Sequence, residues 1–224
     1  MKYEIKGTPL PVVIISLDAG ESIDCENGAM SWMSEGLTQE TKGGGIGKMF
    51  SRAVSGESLF TQSFTASKPG IIAFASSFPG DILAIELTGS NSVVCQKGAY
   101  LASTKGVEKS VFFQKKFGAG VFGGEGFVMQ KFSGVGTVFL EIDGSVMEYN
   151  LAAGEKMILD TGYLAMMDAT CTMNIEMVSG AKNMFLGADG MFNTVVTGPG
   201  RVFIQTMPAS AVASSISPFI ATKS

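Results

Sequence analysis

Two glycine-anchored blocks recur three times along the chain, and this recurrence constrains the fold more than any other feature. The first block reads Glu-Ser-Ile-Asp-Cys-Glu-Asn-Gly-Ala-Met at residues 21–30, Asn-Ser-Val-Val-Cys-Gln-Lys-Gly-Ala-Tyr at 91–100 and Glu-Lys-Met-Ile-Leu-Asp-Thr-Gly-Tyr-Leu at 155–164. The copies align on Gly28, Gly98 and Gly162, roughly 70 and 64 residues apart, which makes Cys25, Cys95 and Leu159 equivalent. A thiol that exchanges with leucine reads as a small core hydrophobe. The second block spans 57–65, 125–134 and 189–198 and aligns on Glu57, Glu125 and Asp189, with offsets of roughly 68 and 64. Two blocks sharing one period identify a chain of repeated supersecondary units.

After the second block come glycine-rich turns and another apolar strand. These are Lys68-Pro69-Gly70 before 71–75, Gly134-Val135-Gly136 before 137–142, and Gly198-Pro199-Gly200 before 201–206. Glycine supplies the positive φ such turns use, and proline fixes its own. Val138, Leu140 and Ile142 alternate onto one strand face, as do Val202 with Ile204 and Ile72 with Phe74. The expected fold is all-β: three pseudo-symmetric repeats of a β-sandwich-like unit, at about 1–79, 80–143 and 144–208, with few short helices. No polar linker separates the units, so residues 1–208 read as a single pseudo-threefold β domain. Residues 209–224 read as a C-terminal tail with a short helix before Pro218.

Histidine is absent from the 224 residues. That removes Ser-His-Asp and Cys-His nucleophilic catalysis, histidine acid–base chemistry and histidine metal ligation. The three cysteines, Cys25, Cys95 and Cys171, are far apart and form no CxxC pair. Free thiols in a reducing cytoplasm are expected, with no zinc site. The net charge of −4 argues against a phosphate-binding nucleic-acid partner. The apolar run 12–17 is too short for a signal peptide, and no stretch approaches a membrane span.

The stretch Gly123-Gly124-Glu125-Gly126-Phe127 through Gln130-Lys131-Phe132-Ser133-Gly134-Val135-Gly136-Thr137-Val138-Phe139-Leu140 resembles the central signature of a known family. So do Gly154-Glu155 with Asp160-Thr161-Gly162, and Thr197-Gly198-Pro199-Gly200 with Val202-Phe203-Ile204-Gln205-Thr206. The family is that of altered inheritance of mitochondria protein twenty-four and its uncharacterised bacterial relatives. The likeness runs from about residue 1 to residue 208. It implies a fold like the tryptophan RNA-binding attenuation protein, repeated three times in one chain. It implies inner-membrane organisation for the mitochondrial member and brings no catalytic residue set.

Candidate sites are few. Gly43-Gly44-Gly45-Ile46-Gly47-Lys48 fails the phosphate-loop pattern, because Met49 stands where Ser or Thr must bind magnesium. Residues 46–54 read as a helical turn or two placing Lys48, Phe50 and Arg52 together; Phe112, Phe113, Lys115, Lys116 and Phe117 repeat that mix. Such a face could dock on an anionic membrane surface, but packing over the repeat core or burial in a subunit interface is the ordinary reading. Four basic residues at about 1 kcal/mol each give roughly 4 kcal/mol, which is only millimolar binding. Gln62, Gln130 and Thr194 align and either line a central axis or face solvent. Glu57, Glu125 and Asp189 read as turn caps or a ring of acids, and Glu141 with Asp143 as a strand end.

The expected function is a non-enzymatic scaffold or binding protein without cofactor or metal, associated with a membrane surface or an assembly. A homo-oligomer is the expected state, because strands greasy on both faces need cover. RNA binding by fold analogy and a histidine-free enzyme are the alternatives.

Overall fold

The computed structural model describes residues 1–43, 60–115, 126–177 and 192–220. These residues are almost entirely β. The first third carries β1 (Lys2–Lys6), β2 (Val12–Leu17), β3 (Ser22–Cys25), β4 (Trp32–Met33), β5 (Leu37–Gly43), β6 (Phe60–Ala66) and β7 (Gly70–Ala75). The second carries β8 (Gly80–Thr88), β9 (Val93–Gln96), β10 (Tyr100–Thr104), β11 (Val107–Lys115) and β12 (Phe127–Asp143). The third carries β13 (Val146–Leu151), β14 (Lys156–Asp160), β15 (Leu164–Asp168), β16 (Thr172–Met177), β17 (Phe192–Thr197) and β18 (Gly200–Gln205), followed by helix α1 (Ala209–Ile216).

One set of antiparallel partners appears in each third. β2 pairs β7, β8 pairs the second half of β12, and β13 pairs β18. β3 pairs β6, β9 pairs the first half of β12, and β14 pairs β17. Within this set Cys25 lies opposite Gln62, Cys95 opposite Gln130, and Leu159 opposite Thr194. Two further pairs cross between thirds: β3 with β10, and β9 with β15.

Three buried clusters form the interior, and each combines residues of two adjacent thirds. The first holds Val13, Ile15, Phe64 and Ile72 together with Leu101 and Phe139. The second adds Met166 and Phe203 to Cys95, Phe132 and Leu140. The third adds Val94, Phe127 and Met129 to Leu164, Val196 and Val202. Asp168 fastens the last third: its carboxylate accepts from the Arg201 backbone N–H at 3.0 Å, from Nε at 3.1 Å and from a terminal guanidinium nitrogen at 3.0 Å. The pair is partly exposed, so Asp168→Ala is expected to cost about 1 kcal/mol. A urea unfolding midpoint checks this.

One sequence expectation changes. Gly134-Val135-Gly136 is not a turn between strands, because β12 runs unbroken from Phe127 to Asp143. Gly134 and Gly136 adopt φ of 95° and 148°, so they bend one long strand where the other thirds break it in two. Of the three anchoring glycines only Gly28 has a positive φ, 82°; Gly98 and Gly162 sit in short 3-10 turns.

Candidate functional site

The turns that follow β3, β9 and β14 meet at a single cavity of about 1320 Å³. Glu26 and Gly28, Gln96 and Gly98, and Gly162 all border it. The ends of the β7, β12 and β18 strands border it as well, through Ala75, Glu141 and Gln205. Those three residues correspond: they lie opposite Val12, Ile82 and Val146 respectively. Helix α1 covers part of the rim with Ala209, Ala213 and Ser214.

The polar groups here tie the thirds together. Gln96 Nε2 donates to the Gly162 and Leu164 carbonyls at 3.0 and 2.6 Å, and Gln205 Nε2 donates to Gly162 O at 2.9 Å. Glu141 Oε2 accepts from the Ser77 N–H at 2.6 Å and from Ser76 Oγ at 3.1 Å. Asp143 Oδ2 accepts from the Ala209 N–H at 3.0 Å, which holds the start of α1. Glu26 pairs with Lys109 at 3.2 Å, and Lys109 also lies 4.7 Å from the Tyr100 ring centroid. The sequence reads Glu141 and Asp143 as a strand end, and the structure adds that they hold the distant Ser77 and Ala209 N–H groups. Extending the repeat alignment five residues past Gly70, Gly136 and Gly200 would have brought Ala75, Glu141 and Gln205 together.

Burial raises the Glu141 carboxyl above its ordinary range, against the lowering pull of the Ser77 and Ser76 donors. Burial raises Asp143 likewise, opposed by the Ala209 N–H. A carboxyl raised in this way binds its proton more tightly in the folded chain than in the unfolded one. Its stabilising contribution is full below the unfolded pKa and is lost as pH rises through the folded pKa. Glu141→Gln is therefore expected to lose less stability than the parent as pH climbs out of the acidic range. Urea unfolding at a series of pH values reads this, and parallel curves would contradict it.

Of the positions singled out in the sequence, Gln62, Gln130 and Thr194 are not among the cavity-lining residues. Gln62 is half-buried and donates to Asn27 Oδ1 at 2.6 Å. Gln130 and Thr194 are buried, and neither Gln130 Oε1 nor Thr194 Oγ1 has a hydrogen-bond partner among the described residues. A buried hydroxyl without a partner keeps its full desolvation cost. Thr194→Val is expected to raise the unfolding free energy by about 1 kcal/mol, measured by urea denaturation. Lys115 makes contacts within the chain: Nζ donates to Ile175 O at 3.3 Å and lies 5.8 Å from the Phe192 ring centroid. Lys48, Phe50, Arg52 and Lys116 lie outside the described residues, as do the 46–54 segment and the acids Glu57, Glu125 and Asp189.

Cys25, Cys95 and Cys171 are free and buried, and burial pushes the Cys25 thiol up to about 12. Such thiols are poor nucleophiles at neutral pH. Among the described residues, no three metal-capable side chains converge and no helix is long and apolar enough to cross a membrane.

A family model described as mitochondrial biogenesis AIM24 matches residues 3–207. The chain belongs to this family. A Streptococcus pyogenes serotype M6 protein, itself described as uncharacterised, is 29% identical over 235 aligned positions, covering 100% of this chain and 93% of its own. A crystal structure of another Streptococcus pyogenes protein, from a structural-genomics programme, superposes with a TM-score of 0.81. It is 24% identical and is covered over 99% of its length by 98% of this chain. That structural likeness supports the all-β architecture of the described residues.

Proposed function

We propose that this chain is a non-enzymatic binding protein or scaffold whose partner segment lodges in the cavity between the three turns. With it we infer three equivalent units arranged in succession around that cavity, two of their mutual junctions being made by strand pairing. The observation that carries this reading is the convergence of Gly28, Gly98 and Gly162 on one space whose rim already holds a peptide segment, α1. That segment carries only small or apolar residues over 209–216 and none of its side chains is buried, so it models an exchangeable occupant. The two raised carboxyls hold backbone N–H groups, which suits fastening better than proton transfer. Acids on the wall repel phosphates and so disfavour nucleic acid.

Because α1 buries none of its residues, a chain ending at Pro208 retains every strand. This shortened chain is expected to bind a fluorescent peptide of residues 207–220 saturably. Gly98 has open space where a Cβ would stand. Gly98→Phe should therefore weaken that binding about tenfold or more with little change in melting temperature. Absent binding, or binding indifferent to Gly98→Phe, would overturn the reading.

A membrane-surface role has separate support. Ile216, Phe219 and Ile220 are 49%, 87% and 62% exposed at the C-terminal end. An apolar tip of this kind inserts into a lipid interface. Full-length chain should co-sediment at low salt with vesicles containing anionic lipid, and Phe219→Ser should reduce the bound fraction severalfold. Equal pelleting with and without vesicles would remove the membrane clause.

A further inference from the structure

The two strand pairs that join neighbouring thirds follow one rule, and among the described residues the rule leaves two strands with one edge unpaired. β3 meets β10 with Cys25 opposite Ala102 and Asp24 opposite Ser103. β9 meets β15 with Cys95 opposite Met166 and Val94 opposite Met167. The third counterpart of β3 and β9 is β14, since Leu159 faces Thr194 as Cys25 faces Gln62 and Cys95 faces Gln130. The counterpart of β10 and β15 is β4. Trp32 faces Ala73 as Ala102 faces Phe139 and Met166 faces Phe203. Met33, Ser103 and Met167 correspond in the same way, opposite Ile72, Val138 and Val202.

Among the described residues β14 and β4 do not pair; each ends a separate sheet. Their side chains are exposed where the counterparts are buried. Ile158 is 65% exposed, whereas Val94 is fully buried. Trp32 and Met33 are 46% and 38% exposed, whereas Ala102, Met166 and Met167 are fully buried. An exposed apolar edge strand is a template for another chain. Here each edge has its match on the same polypeptide, and the chain's own copies do not pair among the described residues.

We propose that β14 of one copy pairs in antiparallel fashion with β4 of a second copy, continuing the internal junctions across a subunit boundary. The register is fixed by the internal rule: Leu159 opposite Trp32 and Ile158 opposite Met33. The contact is heterologous, because the two surfaces differ. Main-chain hydrogen bonds supply affinity, and the Ile158–Met33 and Leu159–Trp32 contacts supply specificity. The proposal rests on the equivalence of the three units and not on any ligand in the cavity.

Light scattering of the full chain at micromolar concentration is expected to give a mass of two chains or more. Ile158→Lys and Met33→Lys, each at an exposed position, should return the mass of one chain while circular dichroism is unchanged. Chains carrying Met33→Cys, mixed with chains carrying Ile158→Cys and oxidised, should form a mixed disulfide dimer. The native cysteines are buried and give little background. Three results would overturn the proposal. They are a wild-type monomer, an oligomer that survives both lysine substitutions, and a double-cysteine chain that closes its disulfide within itself. The last would mean that the chain's own edges meet, and capture of a foreign strand would likewise leave the wild-type chain monomeric.

Discussion

Phe139→Ala is expected to lower the unfolding free energy by about 4 kcal/mol, a typical cost for emptying a fully buried phenylalanine site. The ring belongs to β12 but is buried in the cluster built by Val13, Ile15 and Ile72, so it joins the second third to the first. It lies opposite Ala102 on one side and Ala84 on the other. Both neighbours are too small to fill the space it would leave. Tyr3 meets it edge-on, with centroids 5.0 Å apart and planes at 77°. Such an aromatic pair adds about 1 kcal/mol beyond burial. Tyr3 is 42% exposed, so Tyr3→Ala alone should cost about 1 kcal/mol, and the double variant should cost less than the sum of the two. Guanidinium denaturation of the four chains in the cycle measures the coupling. A Phe139→Ala loss below about 1.5 kcal/mol would show that the thirds are not held together through this ring.

Alternation in the sequence made the buried strands legible where they are apolar, as at Val138, Leu140 and Ile142, which are all fully buried. The aligned positions Cys25, Cys95 and Leu159 also gave the residues that the structure sets opposite Gln62, Gln130 and Thr194. Strand alternation is a local property, and local pattern carries it. The cavity is different. Glu141 meets Ser77, and Asp143 meets Ala209, across 64 and 66 residues of chain. No short-range signal marks an acid that will hold a distant N–H. The open edges were illegible for a related reason. Trp32 and Ile158 look like core residues by type, and only the missing partner strand shows that they are surface.

The glycines illustrate a second limit, because one residue type serves two physical ends. Gly98 is an alignment anchor, yet it has no left-handed φ and open space at its Cβ position. Gly98→Ala should change stability by less than about 1 kcal/mol and can raise it by restricting the unfolded chain. Gly134 looks no different in the sequence. It has φ of 95°, and a Cβ placed there would run into the Gly106 carbonyl oxygen. The left-handed backbone alone costs an alanine about 1–2 kcal/mol. The collision adds about 1–3 kcal/mol, because the obstacle is main chain rather than a side chain that can turn away.

Gly134→Ala is therefore expected to destabilise by about 2–5 kcal/mol. The damage has a definite place. Gly134 lies opposite Val107 at the start of the β11–β12 ladder, and the Val135 N–H donates to Gly106 O at 3.0 Å. Relief of the collision must push the two strands apart at that point. Amide hydrogen exchange should accelerate first at 107–111 and 130–135, where the ladder begins, and least in β13 and β18. A loss under about 1 kcal/mol, or exchange that rises evenly over all three thirds, would mean that the strand bend at Gly134 tolerates a side chain. Then the unbroken path of β12 would owe nothing to glycine at this position.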